Sequence, residues 1–215
     1  IEHLYGKESA NWGKAVIMAA ARAKEAFLGQ ERMVRANSIS APERLGFIVD
    51  GLVPENGTTV LFGAGSSAKT FVGMSIAIAV SQGREFLGRP CQTRNSLIID
   101  YETGQETFGL RLRRLMQGLG LSQGEAHNIG YWWAAGIPLN DMLDPILSCI
   151  NKNNIGFVMI DHAALASGTE PEKSESALLF YRAVGKIVLP ILVISDITGE
   201  AERDLGDREP KPASH

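Results

Sequence analysis

The sequence predicts an α/β fold, in which a mostly parallel sheet carries helices on both faces and so forms three layers. Three observations support this. Apolar runs at 58–62, 96–100, 155–160 and 189–194 alternate with helical stretches. The last three runs are continuously apolar rather than alternating, as in strands buried on both faces. The first leads straight into a loop of small residues and a helix that opens with Lys69-Thr70.

In chain order, the first 36 residues read as a helical preface. An Ala-rich stretch at 10–28 carries Val16, Ile17, Met18 and Phe27 at helical spacing. Residues 37–57 hold Pro42, Pro54 and Gly57 around short apolar pieces, a connector expected to dock on the core. The strand at 58–62 and the helix at 71–81 follow, the helix apolar nearly all round. A Gly/Pro-bounded loop at 83–94 precedes the strand at 96–100. A helix is expected over 106–117, stopped by Gly118 and Gly120. The aromatic run with Tyr131, Trp132 and Trp133 predicts a strand over 128–135, and a helix is expected at 141–151. The strand at 155–160 ends on Asp161. A polar loop at 168–173, an amphipathic helix at 174–188 and a last strand at 189–194 complete the core. From Gly199 onward the chain is charged, contains Pro210 and Pro212, and reads as a disordered tail. The expected organisation is an extension and connector at 1–43, a core at 44–198 and a tail at 199–215.

Composition narrows the function classes. The chain has 215 residues, 45% hydrophobic and 21% charged, with a formal net charge of -3. That balance gives no global attraction to nucleic acid or to an anionic membrane. No apolar run is long enough for a membrane span, and no signal peptide is legible. Cys91 and Cys149 lie far apart in sequence, which suits two reduced thiols in a cytoplasmic protein.

The chemistry centres on Gly63-Ala64-Gly65-Ser66-Ser67-Ala68-Lys69-Thr70, a phosphate-binding loop between strand and helix. Small residues let successive backbone N–H groups turn toward phosphate oxygens. The helix N-terminus adds free N–H groups and the positive end of its dipole. Lys69 would neutralise the β- and γ-phosphates of ATP, and Thr70 would place its hydroxyl on Mg²⁺. Ala68 stands where the motif has its second glycine. Alanine fits there if the position is already helical and is strained if φ is positive.

Strands of a parallel sheet carry their ligands at the carboxyl ends. Glu102, Asp161 and Asp196 all sit at expected strand ends and should share one edge with the loop. Asp161, after an apolar run, is the candidate second Mg²⁺ ligand. Glu102 is the candidate base that orients a water for attack on the γ-phosphate, with Asp100 as its rival. His162 reads as a packing or sensor residue. Arg111, Arg113 and Arg114 read as a solvated helix face or a contact to a neighbour or nucleic acid. Trp132 and Trp133 read as core or interface.

These motifs, in this order, resemble the RecA-like AAA family ATPases of phage and plasmid replication modules, near the hexameric helicases. The resemblance runs from about Arg44 to Thr198. It includes 47–54, the phosphate loop, 97–102, 158–162 and the polar segment 168–174. It implies a RecA-like P-loop NTPase fold and an ATP hydrolase using Mg²⁺ and serving DNA replication or recombination. It also implies Glu102 as the water-activating residue, single-stranded DNA or replication proteins as partners, and a homo-oligomer, hexameric in the family. Two departures stand out. The family often places a His after the last apolar strand and a Lys a few residues on, where this chain has Asp196 and Gly199. A nucleotide-binding regulator without turnover and a small-molecule P-loop kinase are the alternative readings.

Overall fold

The computed structural model describes residues 34–40, 44–168 and 174–196. The expected helical preface, over most of its length, and the expected tail lie outside the described residues. The chain divides into two compact units, residues 1–43 and 44–215. In the first, the described residues hold a short 3₁₀ turn, Ala36–Ser38.

The second unit begins with a two-stranded hairpin, β1 (Phe47–Val49) and β2 (Val53–Pro54), paired antiparallel. The elements that follow are β3 (Thr58–Gly63), α1 (Lys69–Gln82), β4 (Asn95–Asp100), α2 (Gly104–Gly118), β5 (Ile129–Trp133), α3 (Leu143–Lys152) and β6 (Ile155–Asp161). The short helix α4 (Ala163–Ser167), then α5 (Ser174–Val184) and β7 (Ile191–Asp196) complete it. The main sheet has five strands in the order β3-β7-β6-β4-β5, every neighbouring pair parallel.

The continuous apolar strands do what buried parallel strands must: alternate residues face opposite layers. On one face Leu97, Ile99, Val158, Ile160, Ile191 and Val193 pack with Leu143, Ile146 and Ile150 of α3 and Phe180, Ala183 and Val184 of α5. On the other, Ile98, Phe157, Met159, Leu192 and Ile194 pack with Met74, Ala77 and Val80 of α1 and Phe108 of α2. The hairpin closes this second layer through Ile48, Val49 and Val53, all fully buried. The connector thus docks as expected, but as strands, pinned by the loop after α1: Gln92 N donates to Ile48 O at 2.8 Å. Gly73 lets α1 lie close on the sheet, since a Cβ there would meet Met159 Cε at 2.7 Å.

The differences from the sequence reading are local. Helix α5 ends at Val184 rather than 188, where Gly185 and Lys186 turn the chain. Strand β7 starts at Ile191, because Pro190 has no N–H for a ladder and lends only its carbonyl to Val158 N at 3.1 Å. Helix α4 follows β6 where no element was expected.

Candidate functional site

The carboxyl ends of β3, β4, β6 and β7 open onto one cavity of about 280 Å³, walled by the loop before α1. It brings together Ser66, Ser67, Ala68, Lys69, Thr70, Glu102, Asp161 and Asp196, as their strand-end positions predicted. The loop curls tightly. Ser66 has φ 60° and Ala68 φ 62°, both left-handed. Gly63 leaves room for the curl, since a Cβ there would press on Ser67 Oγ at 3.1 Å. Ala68 carries the left-handed step immediately before α1, so it is strained rather than already helical. No side chain caps α1, and its first turn contains no acidic residue, which leaves the positive end of its dipole uncompensated beside the cavity.

Lys69 is buried, and its ammonium is fully engaged. Nζ donates to Ala64 O at 2.7 Å, to Gly63 O at 3.0 Å and to Ser67 Oγ at 3.3 Å. It also pairs with Asp196 Oδ1 at 2.7 Å. The other Asp196 oxygen accepts from His162 Nε2–H at 3.0 Å. Lys69 in the first place, and His162 with it, hold the Asp196 carboxyl below the usual carboxylate range. The Asp196 carboxylate therefore sits on the very lysine a phosphate would need. His162, read from sequence only as a packing or sensor residue, is its second holder.

Asp161 is 3% exposed, and its Oδ1 has no hydrogen-bond partner among the described residues. Burial pushes its carboxyl up to about 6; the nearby Thr70 hydroxyl and His162 oppose the shift, and the charges of Glu102 and Asp100 add to it. A buried orphan oxygen beside a hydroxyl in a negative field is what a divalent cation would satisfy. Thr70 and Asp161 fit as protein ligands of Mg²⁺, which keeps most of its other positions for water and phosphate. The described residues hold no cluster of three or more His, Cys, Asp or Glu with metal-site geometry.

Asp100 and Glu102, the two candidates for the base, differ sharply in their surroundings. Asp100 is buried and its two oxygens accept five hydrogen bonds. They come from the N–H groups of Glu102 (2.9 Å), Thr103 (3.1 Å) and Gly104 (3.0 Å), the Thr103 hydroxyl (3.1 Å) and the Tyr131 hydroxyl (3.0 Å). A carboxylate so engaged has little capacity left for a proton from water. Its work is to fold the turn that presents Glu102, which is exposed and lines the cavity. The three arginines of α2 separate. Arg113 and Arg114 are exposed, whereas Arg111 lines the cavity. Of the tryptophans, Trp132 packs against the core and Trp133 is 44% exposed. Both cysteines are free and partly buried.

A family model described as AAA domain matches residues 25–194, most of the chain. The chain belongs to the AAA domain family. Among solved structures, it is similar to a KaiC-like protein from the hyperthermophilic archaeon Pyrococcus horikoshii OT3. That match has a TM-score of 0.54 and 16% sequence identity, over 73% of this chain and 72% of the other. At that identity the likeness is one of fold, a parallel sheet with helices on both faces. Comparison with curated proteins gave no significant match. No helix among the described residues of this AAA domain is long and apolar enough to cross a membrane.

Two predictions follow from strain and burial in the AAA domain. Replacing Ala68 by Gly removes a Cβ from a left-handed residue, worth about 1–2 kcal/mol, against a loss of about 0.4–1 kcal/mol through a freer unfolded chain. Thermal unfolding should show Ala68→Gly more stable, by a few degrees in Tm; a lower Tm would contradict the strain. Asp161 has a raised folded-state pKa, so its burial penalty is full above pH 6 and relieved as pH falls through about 6. Without nucleotide or metal, Asp161→Asn should stabilise the fold at pH 7.5 by about 1–2 kcal/mol. The gain should shrink by pH 5. A gain that does not change with pH would contradict the assignment.

Proposed function

We propose that this AAA domain binds ATP with Mg²⁺ and hydrolyses it, with slow turnover by the chain alone. The observation that carries the reading is the convergence of four features on one cavity: Lys69, the uncapped start of α1, the Thr70–Asp161 pair and Glu102. The loop from Gly63 through Ala64, Gly65, Ser66, Ser67 and Ala68 to Lys69 and Thr70 would take the phosphates. Lys69 would leave Asp196 for the β- and γ-phosphates. Thr70 and Asp161 would hold Mg²⁺, which when bound offsets charge on the phosphate oxygens. Glu102 would accept the proton of a water aligned with the γ-phosphate.

The expectation of slow turnover has a specific basis. A cation reaching the γ-phosphate is worth about 10³–10⁵ in rate in related systems. In this chain Gly199 stands at the place where the resembled ATPases carry their Lys. The pairing of Asp196 with Lys69 favours, as the second reading, a nucleotide-binding regulator with little turnover. The resemblance of the ordered motifs to replication-module ATPases supports service in DNA replication or recombination. On that reading the partners are single-stranded DNA, replication proteins or further copies of the chain.

Two substitutions test the assignment. Lys69→Ala should abolish ATP binding measured by calorimetry, since the phosphates lose their buried charge partner. Glu102→Gln should leave binding intact and remove most phosphate release, because the amide is nearly isosteric but cannot take the proton. Unchanged affinity in the first would refute the loop assignment. Unchanged turnover in the second would take the base away from Glu102.

A further inference from the structure

Among the described residues, Arg111 is the one arginine lining this cavity, and its surroundings are unusual. Helix α2 is anchored by Phe108, whose ring stacks on Tyr131 with centroids 4.2 Å apart, and by the fully buried Met116. Arg111 lies three residues after Phe108, on the same inward side of the helix. Its guanidinium carbon sits over the ring of Phe71, 5.6 Å from the centroid. Phe71 directly follows Thr70 in the first turn of α1, so this contact places the guanidinium beside the start of the helix that would receive phosphates. Arg113 and Arg114 point away into solvent.

The guanidinium is charged at every accessible pH and has five N–H donors. Nη1 of Arg111 is buried and has no acceptor among the described residues. No ion pair to Arg111 is present among those residues either. A buried donor on a permanent cation is costly unless an anion completes it. The contrast with Lys69 is direct: Lys69 already has a carboxylate and three oxygens, whereas Arg111, which lines the same cavity, has an aromatic face and an unpartnered buried donor.

We propose that Arg111 is a ligand of the nucleotide's phosphates, a second cation supplied within the chain, with Nη1 donating to a phosphate oxygen. This rests on the reading of the cavity as an ATP site. It assigns to α2 a role in recognising the polyphosphate that the loop does not fill. Neither Arg113 nor Arg114 shares it.

The test is calorimetry with Mg·ATP and with Mg·tripolyphosphate, on the parent and on Arg111→Met, Arg111→Lys, Arg113→Met and Lys69→Ala. Methionine keeps the stem over Phe71 without the charge. Lysine keeps the charge without the fork, and so guards against a methionine variant that folds poorly. Arg111→Met should weaken both ligands about tenfold to a hundredfold, as for loss of a hydrogen bond to a charged group. Arg111→Lys should lie between it and the parent, and Arg113→Met should match the parent. Parent-like affinity in both Arg111 variants, with binding lost in Lys69→Ala, would overturn the proposal and leave the ATP site standing. A loss with ATP but not with tripolyphosphate would move the guanidinium to the nucleoside and overturn the phosphate assignment. Parent-like binding in Lys69→Ala, or none in the parent, would overturn the ATP-site reading and the proposal together.

Discussion

The ammonium of Lys69 has to be held in a dry place by oxygen atoms, and the geometry around it follows from that need. Two of its acceptors, Gly63 O and Ala64 O, belong to the turn leaving β3, which makes the left-handed steps at Ser66 and Ala68 a condition of burying the charge. The fourth partner, Asp196, comes from the end of β7, the strand paired with β3 in register from Thr58 and Ile191 to Gly63 and Asp196. Parallel pairing alone thus brings a loop lysine and a strand-end carboxylate to one point. An anionic ligand entering this site meets a cation that is already satisfied. At Lys69, binding is then an exchange of one anion for another rather than the filling of an open charge.

The same sheet edge separates two kinds of carboxylate by their surroundings. Asp100 is buried but saturated with donors, so it shapes the turn and anchors Tyr131. Asp161 is buried with an oxygen left unpaired, and its pKa rises accordingly. Glu102 is exposed and lines the cavity. The sequence presents Asp100, Glu102 and Asp161 alike at strand ends; only the count of donors around each one tells them apart.

Much of the architecture was legible because buried parallel strands leave continuous apolar runs, and β4, β6 and β7 are such runs. The strand-end rule then places Lys69, Thr70, Glu102, Asp161 and Asp196 together before any coordinates are known. The short elements were not legible. The β1–β2 hairpin is too brief to set a period, and α4 is a five-residue helix directly after β6. The strain at Ala68 was legible only as a condition, because φ at that position depends on where the helix begins. The separation of Arg111 from Arg113 and Arg114 was hidden for a different reason: one helix turn carries all three, and only the packing of Phe108 and Met116 decides which side faces the cavity. The hold of Asp196 on Lys69 had no local signal at all, since the two residues are joined by strand order and not by spacing.

The most direct test of this account is Mg·ATP affinity of Asp196→Asn against the parent at pH 7.5, measured by calorimetry with thermal unfolding to confirm that both are folded. If ATP must displace the carboxylate from Lys69, the amide is a weaker competitor, and affinity should rise about tenfold, the scale of one charge-assisted contact. Equal or weaker binding in Asp196→Asn, in a folded protein, would contradict the exchange of anions at Lys69.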